Sequence, residues 1–75
     1  MEWRNHISVD PNVMQGVACI AGTRIPVSLV LDNLAAQVPA ERLLAEYPSL
    51  TAEAIRAALA YAAELAREQS VALPA

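Results

Sequence analysis

The chain has no lysine, no phenylalanine and a single cysteine, Cys19. The last of these shortages removes classes of function. A lone thiol closes no internal disulfide, and inside the apolar run Val17-Ala18-Cys19-Ile20 it reads as a small core residue of a reducing compartment. One histidine, His6, with one cysteine leaves no pair at metal-ligand spacing, and neither Ser28 nor Ser49 has a His/Asp arrangement around that imidazole. Asp10 and Asp32 form no recognisable acid pair or phosphate-loop pattern. Catalysis, a metal centre and a cofactor are therefore not expected. No apolar run approaches the ~20 residues that span a bilayer, and the Met1-Glu2-Trp3-Arg4-Asn5-His6 opening lacks a charged lead followed by an apolar stretch. The expected place is the cytosol, with no membrane contact.

A basic excess is also missing. Net charge is −3, all five basic residues are arginines, and acids are spread from Glu2 to Glu68. The whole-molecule field repels a phosphate backbone, which disfavours strong nonspecific nucleic-acid binding but leaves room for a local basic patch, particularly in a dimer. At 75 residues the chain is one domain that buries only about 60% of its unfolded surface, so self-association as a homodimer is expected. Sixteen alanines point to a compositional bias, which weakens alanine-rich stretches as helix signals.

What is present divides into a small β element over 1–25, a three-helix core over 26–69 and a tail over 70–75. His6-Ile7-Ser8-Val9 alternates polar and apolar before Asp10-Pro11-Asn12 breaks it, the pattern of a short half-buried strand and a turn. A second strand is predicted over 17–20, with 23–25 returning against it around Gly22, and Pro26 ends the ladder because it donates no amide. From Val27 the period becomes 3.6, with Val27, Val30, Leu31 and Leu34 on one face and Pro26 suited to the first turn. Leu29 lies off that stripe, a hint of an interface. A second short helix, with Pro39 suited to its first turn, buries Ala40, Leu43, Leu44 and Tyr47, until Pro48 ends it. Thr51 can cap the third helix, predicted over 52–68, whose inner stripe reads Ile55, Ala58, Leu59, Ala62 and Ala66, with Glu53, Arg56, Glu64, Arg67 and Glu68 toward solvent.

A helix, a short helix, a tight turn and a longer helix form the outline of a helix-turn-helix, homeodomain-like unit. In a DNA-reading version Thr51 and Arg56 stand near the start of the last helix, and Arg56 is the one good guanine reader there. The plainer reading of Arg56 is an ion pair with Glu53 one turn earlier or a solvated position between acids. Arg24, beside a glycine turn and ahead of a helix start, either grips a phosphate or a partner's carboxylate, or braces its own hairpin by an internal hydrogen bond. Tyr61 suits a subunit interface as well as a core rim, and Trp3 reads as a sheet-packing or interface anchor.

Four segments together resemble a known family. They are Ile7-Ser8-Val9-Asp10-Pro11, then Ile20-Ala21-Gly22-Thr23-Arg24-Ile25-Pro26-Val27, then Tyr47-Pro48-Ser49-Leu50-Thr51, and the run over 55–61 that leads into Ala62. The chain resembles a prokaryotic domain-of-unknown-function family grouped with VapB-type antitoxins and usually found beside PIN-like toxins. It departs from that pattern at Gln37-Val38-Pro39, where a glycine is usual, and at Ala18-Cys19. The resemblance implies a β element before a trihelical core, and a non-enzymatic antitoxin that binds a PIN-like toxin and represses its own operon. Arg24, or Arg67 near the tail, is then the candidate for blocking an acidic metal site, with Leu29 and Tyr61 as further partner contacts. Two other readings stay open, an operon autoregulator that touches DNA through Thr51, Arg56 and Arg24, and a structural homodimer.

Overall fold

A computed structural model describes residues 1–68, so the predicted tail lies outside the described residues. The fold is mainly helical, three helices preceded by a short antiparallel pair of strands. Strand β1, Ile7–Ser8, pairs with β2, Cys19–Ile20, in the register Ile7 to Ile20 and Ser8 to Cys19. The connection between them passes through an Asx turn, in which the Asn12 amide donates to Asp10 Oδ1 at 2.9 Å, and then through a tight turn at Met14–Gly16. There Met14, Gln15 and Gly16 all take positive φ, at 52°, 57° and 80°. For the two non-glycine residues this backbone costs about 1–2 kcal/mol each.

The return predicted over 23–25 is not a strand. It is reduced to one bridge between Cys19 and Pro26 and two flanking bonds, Ile20 N to Ile25 O and Val27 N to Ala18 O, both 2.9 Å. The reason is local chemistry. Thr23 Oγ1 donates to the Ile20 carbonyl at 2.8 Å and accepts from the Ile25 amide at 3.0 Å, so the turn uses groups a ladder would need. Pro26 then has no amide to offer.

Helix α1, Val27–Ala35, and helix α2, Ala40–Glu46, each begin one residue after a proline. Pro26 and Pro39 thus occupy the N-cap rather than the first turn, with extended ψ of 142° and 150°. Helix α1 closes in a Schellman arrangement, with Val38 N donating to Asn33 O and Gln37 N to Leu34 O, each at 3.0 Å. The residue in left-handed geometry there is Gln37, φ 66°, where glycine is the usual occupant. Helix α3, Ala52–Glu68, is capped as predicted, its Ala54 amide donating to Thr51 Oγ1 at 3.0 Å.

Val27 and Val30 of α1, Leu43 of α2 and Leu50 close on Ala54, Ile55, Ala57 and Ala58 of α3, with Ile7 and Ile20 of the sheet at one side. No polar side chain is buried among the described residues. The inner face of α3 differs from the predicted one. Leu59 is 49% exposed and Ala66 is exposed, whereas Ala54 and Ala57 are buried. Reading by residue size favours leucine for the core, but the amino-terminal turn at Trp3–Asn5 packs on the opposite flank of α3 and sets which alanines are covered.

Candidate binding surface

The turn after β2 presents the first candidate. Gly22, φ 77°, supplies the left-handed step, and Thr23 N bonds back to Ile20 O at 3.0 Å. Held this way, Arg24 is exposed and its guanidinium makes no hydrogen bond or ion pair among the described residues. It lines an open groove of about 420 Å³ with Asp10, Val13, Val17, Cys19 and Thr23. The buried Cys19 forms part of that wall, its thiol directed to the Val17 carbonyl at 3.4 Å.

A second groove, about 650 Å³, runs along the start of α3 and is lined by Asn5, His6, Ser49, Thr51, Glu53 and Arg56. Thr51 and Arg56 therefore share a surface, while Arg24 opens onto the other groove. Of the two plain readings of Arg56 the solvated one holds: the side chain is exposed and makes no ion pair with Glu53. Glu53 Oε2 instead lies 3.9 Å from His6 Nε2, an ion pair whenever the imidazole is protonated.

The densest side-chain cluster was not legible in the sequence. Trp3 Nε1 donates to Glu64 Oε2, Arg4 Nη2 reaches Glu64 Oε1 at 3.5 Å, and the Arg4 guanidinium lies 4.5 Å over the Trp3 ring. Tyr61 meets Trp3 edge-on, ring centres 5.0 Å apart at 67°. Glu64, predicted to face solvent, is thus half-buried, and Tyr61 packs within its own chain. Arg4 also binds Glu2, and the Arg4 backbone amide with its guanidinium holds the Glu2 carboxyl below its ordinary range. These partners are about sixty positions apart, so no local spacing announces them. Of the other candidates, Leu29 is half-buried, its carbonyl accepting from Asn33 Nδ2 at 2.8 Å, and Arg67 is exposed in the last turn of α3.

No three His, Cys, Asp or Glu side chains gather at metal-binding distance among the described residues, and no described helix is long and apolar enough to cross a membrane. The profile of the family "Protein of unknown function (DUF433)" matches residues 7–62, from β1 to the middle of α3. The chain belongs to the DUF433 family. A DUF433 member from Anabaena variabilis ATCC 29413, known from a 2.00 Å crystal structure, superposes with a TM-score of 0.78 at 38% identity, over 87% of this chain and 64% of that one. The uncharacterized protein y4eO of Sinorhizobium fredii (strain NBRC 101917 / NGR234) is 41% identical over 59 residues, 79% of this chain. The chain spans 27% of the length of y4eO. DUF433 is thus a family of unknown function, and the grouping with VapB-type antitoxins gains no support from these relatives.

Proposed function

We propose that this DUF433 chain is a non-enzymatic binding module, an antitoxin that neutralises a PIN-like toxin by offering Arg24 to the toxin's acidic metal site. The observation that carries the reading is the exposed Arg24 on a turn that Gly22 permits and two Thr23 hydrogen bonds brace, with no carboxylate of its own chain paired to it among the described residues. A guanidinium presented without a competing acid keeps its five donors for a partner's carboxylates. The groove beside it adds Val13 and Val17, apolar surface that a flat cationic tip would lack. Co-expression with the product of the neighbouring gene tests this. Co-elution and loss of nuclease activity are expected, both weakened by Arg24→Glu; a neighbour that neither co-elutes nor loses activity ends the proposal.

A second reading, DNA-binding autoregulation, draws on the groove that gathers Asn5, Thr51 and Arg56 at the start of α3. A salt-dependent shift of the chain's own promoter fragment, reduced by Arg56→Ala, is the expected result. No shift with or without the partner protein removes it.

A further inference from the structure

The outer side of α3 breaks the rule that a solvent-facing helix side is polar. At 3.6 residues per turn, Ala52, Arg56, Leu59, Ala63, Ala66 and Arg67 share one side of the helix, and all six are exposed. Leu59, 49% exposed, is the largest apolar group on it. Arg56 and Arg67 line one border, eleven positions or about 16 Å apart along the axis. Neither makes an ion pair among the described residues. Glu64, one turn before Arg67, is engaged by Trp3 and Arg4, while Glu53, one turn before Arg56, stays exposed and forms no ion pair with it. What remains is an apolar strip with a positive edge.

We propose that this face of α3 docks an amphipathic helix of a partner protein, one that lays small or leucine side chains along Leu59, Ala63 and Ala66 and sets acidic residues about three turns apart against Arg56 and Arg67. The alanines allow close approach of two helix axes, and Leu59 supplies the knob. A second copy of this chain does not fit. An antiparallel self-pairing over Leu59 and Ala63 brings Arg56 close to Arg67 of the copy, and a parallel one sets each arginine against itself. Nor do residues 69–75 carry an acidic side chain. Nucleic acid fits less well, because apolar side chains rather than further cations adjoin the two arginines. This surface is separate from the Arg24 groove and does not depend on the antitoxin reading.

The test is selection of helical peptides from a displayed library, randomised along one seam and its flanks, against the full chain with counter-selection on Leu59→Asp. Because Leu59 is half-exposed, that variant keeps the fold, which far-ultraviolet circular dichroism checks. The expected winners bind the chain at least about tenfold more tightly than Leu59→Asp and carry acidic residues at i and i+10 or i+11. The charge reversal Arg56→Glu with Arg67→Glu should weaken them by a similar factor and favour versions with lysine at those positions. Absence of Leu59-dependent binders, winners with basic flanks, or a Leu59-dependent homodimer in sedimentation each overturns the proposal. So does a DNA duplex whose binding is lost on Arg56→Glu and unchanged on Leu59→Asp, if no acidic peptide binds.

Discussion

At the centre of the molecule α3 meets Val30 and Leu43 through Ala57 and Ala58, all fully buried and wholly apolar. Two turns further along, the same helix is held by Trp3 and Arg4 through an aromatic edge and the Glu64 carboxylate, all partly in water. The centre works by excluding water, so its strength depends on how well it is filled. The amino-terminal clasp works by matching a ring, a cation and an anion at a surface, where solvent discounts each charge. Losing a side chain from the first leaves a cavity. From the second it lets water in.

That contrast orders the outcomes expected from substitution. Leu43→Ala should cost about 3 kcal/mol in denaturant unfolding, transfer and cavity terms combined. A loss below about 1 kcal/mol would mean that the centre collapses around the gap and is no tighter than the clasp. Trp3→Ala should cost less, about 2 kcal/mol, because the ring is only half-buried. Trp3→Phe keeps the contact with Tyr61 and gives up the bond to Glu64, for about 1 kcal/mol. A double-mutant cycle with Glu64→Ala isolates that bond, and zero coupling would leave the indole N–H no part in the clasp.

The joints between these regions give effects of about 1 kcal/mol in opposite directions. Gly22 and Gln37 both hold left-handed backbone, φ 77° and 66°. Gly22→Ala should therefore destabilise and Gln37→Gly stabilise, each by roughly 1 kcal/mol, read as opposite displacements of the thermal midpoint. Equal signs would show that space rather than φ decides, although a methyl at Gly22 meets nothing within 4 Å. The smallest effect belongs to the clasp's outer edge. Arg4 lowers the Glu2 carboxyl below its ordinary 4.5, so its contribution is present above that pH and lost as the pH falls through the lowered value. Comparing melting at pH 7 and pH 3 for the parent chain and Glu2→Gln should show a slightly shallower acid loss in the variant.

Much of the helical frame was legible because it rests on short-range rules. The 3.6 period from Val27, the prolines ahead of α1 and α2 and the Thr51 cap each act within a turn or two of chain. The β element was only half legible. Its strands and the Gly22 turn follow local composition, but the loss of the 23–25 strand depends on how Thr23 spends its hydroxyl. The candidate site divided in the same way. Arg24 was found through its turn, whereas the engagement of Glu64 by Trp3 and Arg4 has no signal at neighbouring positions.

The sequence by itself determined where the chain turns, where its helices start, and which arginines stand near those starts, because caps, prolines and left-handed glycines act on their immediate neighbours. Only the tertiary structure decided which alanines of α3 are covered, that Leu59 faces outward, and which acids are occupied. Those outcomes depend on the amino-terminal turn settling against a helix some sixty residues away. Alanine carries too little hydrophobic contrast, and a surface glutamate too many possible partners, for periodicity alone to choose between faces.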